Sequence, residues 1–118
     1  LWNSITLEAK GNLSGSLAMT ANKTKPSRIK VDGINGVKKI EFDWEGYNAT
    51  KDNDNKFEVI VGTNTKTETF AKSEARKTTS YEFNDNSATS FTIKPQDSTN
   101  AENKDNRIKA YSVKFTTY

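Results

Sequence analysis

Apolar and polar positions alternate along much of the chain, and the clearest run is Val37 to Tyr47. Ile40, Phe42 and Trp44 fall on every second residue, and Lys39, Glu41, Asp43 and Glu45 fill the alternate positions. This is the side-chain period of a half-buried β-strand. One face buries large apolar groups, and the other carries charge into water or presents it to a ligand. Gly46 ends the strand.

The same period predicts strands elsewhere. Ser4 to Lys10 alternates Ile5, Leu7 and Ala9 with Thr6 and Glu8, and Leu17, Met19 and Ala21 alternate with Ala18 and Thr20. Arg28 to Val31 is a short strand with Ile29 and Val31 inward. Asp32-Gly33 and Asn35-Gly36 bracket Ile34 in a tight connection to the Val37 strand. Phe57 to Gly62 is apolar on nearly consecutive positions, as a strand paired on both sides would be. Thr67 to Ala71 carries Phe70, Thr78 to Phe83 carries Tyr81 and Phe83, and Thr89 to Lys94 carries Phe91 and Ile93 before Pro95 stops it. The polar stretches Asn48 to Lys56 and Gln96 to Asp105 read as surface loops. Lys72 to Lys77 has helix-forming composition but is too short for a stable helix, so it is expected to be a loop with at most one helical turn.

The final strand, Asn106 to Tyr118, breaks phase. Tyr111, Val113 and Phe115 share one face while Ile108 falls on the other. A bulge near Lys109-Ala110 would bring Ile108 and Tyr111 to the same side. About nine short strands, turn-rich spacing and no credible helix predict an all-β fold, an antiparallel two-sheet β-sandwich. A jelly roll is favoured over an immunoglobulin-like arrangement.

Composition narrows the function more than the fold. The 118 residues suit one domain, and the abrupt start at Leu1-Trp2 suits a domain cut from a longer precursor. The chain has no Cys and no His, which removes disulfides, thiolate chemistry and the commonest general base and zinc ligand. No two carboxylates stand out as a glycosidase pair, so the expectation is a non-enzyme with no cofactor. The net charge of +3 is mild and its lysines are scattered, which fits solubility rather than a nucleic-acid footprint. No apolar run approaches the ~18 residues of a membrane span. Asp52-Asn53-Asp54-Asn55 has oxygen ligands at close spacing but lacks the glycine and distal glutamate of an EF-hand, and reads as a turn rather than a metal site.

Several segments taken in order resemble the jelly-roll modules appended to secreted bacterial enzymes and surface proteins. They are Gly15-Ser16-Leu17-Ala18-Met19, Ser27-Arg28-Ile29-Lys30-Val31, the run Gly33 to Trp44 with its Gly36-Val37-Lys38-Lys39-Ile40-Glu41-Phe42 core, and the closing Asn106-Arg107-Ile108 strand. The resemblance implies a carbohydrate-binding or accessory β-sandwich, secreted or at the cell surface, working beside other domains of a parent protein. It transfers no residue roles.

Sugars are bound by aromatic rings that stack on a pyranose face, flanked by polar groups for its hydroxyls. The candidates are Trp2, Trp44, Tyr47 and Tyr111, with Arg107 as a forked donor. Trp44 is in phase with Ile40 and Phe42 and so also fits the core. Tyr47 lies beyond Gly46 in a loop. Tyr81 and Tyr111 fit core positions with a hydroxyl at the rim. Lys39, Glu41 and Asp43 form a second candidate face, which Arg107 and Lys109 could join; the plain alternative is a solvated face of cross-strand ion pairs. The expected function is a non-catalytic carbohydrate-binding module for a polysaccharide or oligosaccharide. The alternative is a structural or adhesive sandwich of a bacterial surface protein.

Overall fold

A computed structural model describes residues 4–8, 17–19, 27–49, 51–97 and 106–118. Nine strands run through them: β1 (Ser4–Glu8), β2 (Leu17–Met19), β3 (Arg28–Asp32), β4 (Val37–Gly46), β5 (Asn55–Val61), β6 (Asn64–Phe70), β7 (Lys77–Asp85), β8 (Ser90–Pro95) and β9 (Ile108–Thr116). They form two antiparallel sheets, ordered β1-β3-β8-β5-β6 and β2-β9-β4-β7. With β1 set aside as an added edge, the remaining eight strands pass between the sheets in the jelly-roll order, each sheet interleaving early and late strands. The fold is therefore the antiparallel sandwich that the alternation predicts.

The apolar phase of β3, β4, β5, β8 and β9 faces the space between the sheets. Phe42 and Trp44 from β4 meet Phe57 and Phe70 from the opposite sheet, with ring centroids 5.4 Å apart for Phe42–Phe57, 4.8 Å for Trp44–Phe57 and 5.3 Å for Trp44–Phe70. Phe91 and Phe115 make a second inter-sheet pair at 5.2 Å. The Phe42, Trp44 and Phe91 contacts are edge-on, the arrangement the ring quadrupoles favour, worth ~0.5–1.5 kcal/mol each beyond area burial. Along one side of the sandwich the edge strands β6 and β7 are tied by Tyr81, whose hydroxyl donates to Glu68 at 2.9 Å. Burial, and then that carboxylate partner, push the Tyr81 phenol far above its ordinary range.

Three local expectations change. The Asn48–Lys56 stretch is not wholly a surface loop: Ala49 and Asn55 are buried, and β5 already begins at Asn55. Asn55 is satisfied inside, donating from Nδ2 to the Lys51 carbonyl at 2.9 Å and the Phe70 carbonyl at 3.3 Å. The strand expected from Thr67 starts earlier: the turn before it is only Gly62-Thr63, with Gly62 at φ +59°, and β6 begins at Asn64. The bulge of the last strand lies at Tyr111, because Asp43 pairs with Ser112 and Trp44 with Ala110. Ile108, Ala110, Val113 and Phe115 consequently all face the core, while Tyr111 is turned outward rather than sharing a side with Ile108. Ala110 is the small, buried residue that pairs with Trp44 in register.

Candidate functional site

The outer face of the β2-β9-β4-β7 sheet collects the charged phase of β4. Register places Lys114 opposite Glu41, Ser112 opposite Asp43 and Lys109 opposite Glu45 on β9, and Ser80 opposite Glu41 and Thr78 opposite Asp43 on β7. The bulge adds the Tyr111 ring to this face beside Lys109. Lys39 and Glu41 form an exposed ion pair at 3.0 Å, an arrangement that contributes little to stability. At that end of the face a shallow hollow of about 250 Å³ is lined by Lys38, Lys39, Glu82, Asn84 and Thr116.

The opposite end is more organised. Arg76, from the loop between β6 and β7, reaches back over the sheet. Its Nε donates to Asp43 Oδ1 at 3.0 Å and its Nη2 to Oδ2 at 2.9 Å. Its guanidinium carbon lies 3.7 Å from the centroid of the Tyr111 ring. The Tyr111 hydroxyl in turn donates to Glu45 Oε1. Asp43, Arg76, Tyr111 and Glu45 thus form one continuous chain of contacts, with the bidentate geometry that a guanidinium can supply and an ammonium cannot. The Arg76 hydrogen bonds hold the Asp43 carboxyl below its ordinary range. The Glu45 carboxylate, by accepting the phenol hydrogen bond, pushes Tyr111 above the ordinary tyrosine range.

The loop that carries Arg76 is held by backbone contacts at Gly46. The Gly46 amide donates to the Glu74 carbonyl at 2.9 Å, Ala49 N to the Lys72 carbonyl at 3.4 Å, and Lys72 N to the Asp52 carbonyl at 2.9 Å. A Cβ on residue 46 would sit 2.5 Å from Glu74 N and 2.9 Å from the Ala71 carbonyl oxygen. The glycine therefore does more than end the strand; it allows backbone to approach backbone.

Tyr47 is half-buried just beyond. Its amide donates to the Arg107 carbonyl at 3.0 Å. Lys109 Nζ lies 4.3 Å and the Arg107 guanidinium carbon 5.1 Å from its ring centroid, close enough for cation–π attraction. Arg107 Nη1 reaches the Asn48 carbonyl at 3.5 Å, and its Nε is buried without an acceptor. Asn106, at φ +60°, fixes the start of this segment. It is buried, its Oδ1 accepts from Lys56 N at 2.7 Å, its Nδ2 donates to the Gln96 carbonyl at 2.9 Å, and its own amide donates to Asn55 Oδ1 at 3.3 Å. The Asn106-Arg107-Ile108 run divides into an internal anchor, a rim cation and a core side chain.

Four of the five expected ligand residues can thus be placed. Tyr47, Arg107 and Tyr111 lie together at one end of this face. Trp44 does not join them. It is 0% exposed, its Nε1 donates to Thr79 Oγ1 at 2.9 Å, and it is a core residue rather than a stacking surface. Trp2 lies outside the described residues. Arg76 carries no signal in the sequence, because its position depends on a loop docking at Gly46.

Chemically, the cluster suits binding rather than proton transfer. Asp43 is held ionised and Tyr111 is held protonated, so neither is tuned as a general acid or base near neutral pH. Among the described residues no group of three acidic side chains is placed to hold a metal ion. The Asp52–Asn55 segment is used internally: the Asp52 carbonyl accepts from Lys72 N, Asp54 bonds the Lys56 ammonium, and Asn55 is buried. Among the described residues no helix is long and apolar enough to cross a membrane.

No protein-family model matches the chain, and no curated protein matches it. Among solved structures, the secreted serine protease VesC from Vibrio cholerae is similar, with a TM-score of 0.63 at 9% sequence identity over 98% of this chain. The chain spans 24% of the length of that protein, and at this identity the likeness is one of fold.

Proposed function

We propose that the domain binds a polysaccharide or oligosaccharide without cleaving it, at the Tyr47–Tyr111 end of the β2-β9-β4-β7 face. One observation carries the reading: two tyrosines, two arginines, a lysine and two carboxylates converge on one open sheet face without a tuned acid–base pair. Rings that cover an apolar sugar face, ringed by donors and acceptors for hydroxyls, are the composition such sites need. The domain would work as an accessory module, secreted or displayed at the cell surface, beside other domains of a parent protein. Its likeness in fold to one part of a secreted protein supports that setting. A glycan array with the isolated domain, followed by titration calorimetry on the best hit, tests it. Tyr47→Ala, matched to wild type in melting temperature, is expected to lose more affinity than any single polar change on the face. Unchanged affinity removes Tyr47 from the site.

A second reading has its own support. Trp44 is buried, and the Tyr47 and Tyr111 rings each carry a cation of the same chain. A face whose rings are already covered suits a structural or adhesive sandwich. An array without hits favours that reading.

A further inference from the structure

We propose that Arg107 and Lys109 form an anion subsite beside Tyr47, so that the glycan taken by this domain is acidic and presents a carboxylate or sulfate there. The inference rests on the carbohydrate reading above and narrows it to a ligand class.

The local charges are unevenly used. Asp43 is taken by two donors of Arg76, and the Glu45 carboxylate accepts the Tyr111 hydroxyl. Lys109 stands opposite Glu45 in register, yet it forms no ion pair among the described residues and rests on the Tyr47 ring instead. Arg107 has five donors and one long hydrogen bond, at 3.5 Å to Asn48. Two cations on one ring with no counter-ion repel each other, and a bound anion between them removes that repulsion. A carboxylate or sulfate also matches the fork of the guanidinium, while the ammonium supplies a point charge beside it.

The site is held in position before any ligand arrives. Buried Asn106 fixes the backbone on one side of Arg107 and Ile108 anchors the other. Tyr47 is bonded to that backbone through its amide at 3.0 Å. Little ordering of the chain is left for binding to supply. A neutral sugar would use the ring but leave both charges without a partner.

The test begins with an array that sets uronate-containing and sulfated glycans beside neutral counterparts of the same backbone. Calorimetry at constant ionic strength then compares the best acidic hit with its carboxyl-reduced or desulfated form. We expect the acidic form to bind at least about tenfold more tightly, and Lys109→Gln and Arg107→Lys each to shrink that preference several-fold. The two acidic arms assign the anion to carboxylate or to sulfate. Lys109→Gln removes a side chain with no hydrogen bond among the described residues, so it is expected to fold, and Arg107→Lys keeps the charge while losing the fork. Equal affinity for acidic and neutral forms, or a preference intact in the double variant Arg107→Ala/Lys109→Gln, overturns the subsite and leaves the carbohydrate reading standing. A single-stranded oligonucleotide that binds as tightly as the best acidic glycan overturns the glycan assignment in favour of a phosphate backbone. An array with no hit of either kind overturns both readings.

Discussion

The hydrogen bond from buried Trp44 to half-buried Thr79 gives the sharpest test of the packing. Trp44 is fully enclosed, its ring lies edge-on to Phe57 and Phe70, and its indole N–H finds its acceptor in the Thr79 hydroxyl at 2.9 Å. Thr79→Val exchanges that hydroxyl for a methyl of nearly equal volume and keeps the β-branched shape that suits strand β7. What changes is the partner of a buried donor. An orphaned N–H of this kind costs ~1–3 kcal/mol, a large share of the ~5–15 kcal/mol that holds a domain folded. In a Trp44→Phe background the donor is already gone, so the same Thr79→Val change should cost less than ~0.5 kcal/mol or stabilise slightly. The cavity left by Trp44→Phe cancels in the double-mutant cycle, and the coupling energy should come out at ~1–3 kcal/mol. Urea unfolding of the four proteins, followed by circular dichroism, reads this directly. With a slope of ~1–3 kcal/mol per molar urea, a loss of ~2 kcal/mol lowers the midpoint by about 1 M at unchanged slope. Equal costs for Thr79→Val in both backgrounds would refute the argument, because the indole would then have no dependence on that hydroxyl.

Phe42→Ala should destabilise by ~3–5 kcal/mol, whereas Lys39→Ala on the opposite face of β4 should stay within ~0.5 kcal/mol; similar costs would mean that the faces are misassigned. Gly46→Ala drives a Cβ into the Glu74 amide, so the 71–76 loop should move and the Arg76–Tyr111 contact loosen, seen as NMR shifts that concentrate in that loop and at Tyr111; shifts confined to residues 45–47 would contradict this. Acid should erase part of the Arg76 contribution. Asp43 titrates lower in the folded chain than the ~3.9 of a free aspartate, so the pair stabilises above that value, and its contribution is lost as pH falls through the folded one. The stability gap between wild type and Arg76→Ala should be flat above about pH 5 and shrink below about pH 4; a gap that widens in acid would exclude the pair as its source.

The strands were legible because the buried residues of β3, β5 and β8, and those of β4 from Ile40 to Trp44, recur with period two between turn residues, and the nearly consecutive apolar positions Phe57, Val59, Ile60 and Val61 mark a strand paired on both sides, as β5 is. The same phase counted Trp44 with Ile40 and Phe42, and that position proved stronger than its chemistry as a stacking ring. The bulge was legible only as a need: an extra residue anywhere between Ile108 and Val113 repairs the phase, and the choice of Tyr111 depends on the register against Trp44 on a neighbouring strand. Asn55 looks like one more polar loop residue, since its partner Asn106 lies 51 positions along the chain. Arg76 was invisible for the same reason: its contacts with Asp43 and Tyr111 join three segments distant in sequence.

The strand order carries a consequence for how the chain reaches its native state. The last two strands do not add to the margins of finished sheets; β8 separates β3 from β5, and β9 separates β2 from β4. While the chain emerges from a ribosome, only the local β5–β6 hairpin, the β1–β3 pair and the β4–β7 ladder can assemble, each with edges bare. Until β9 arrives, β2 and β4 would face each other across a gap of ~10 Å, two inter-strand spacings, with their backbone donors and acceptors exposed to other chains. Pairing over such sequence separations is slow. A break anywhere before Ile108 therefore does not yield a smaller domain. It yields a sheet missing its centre, with sticky edges facing inward and a strong tendency to aggregate.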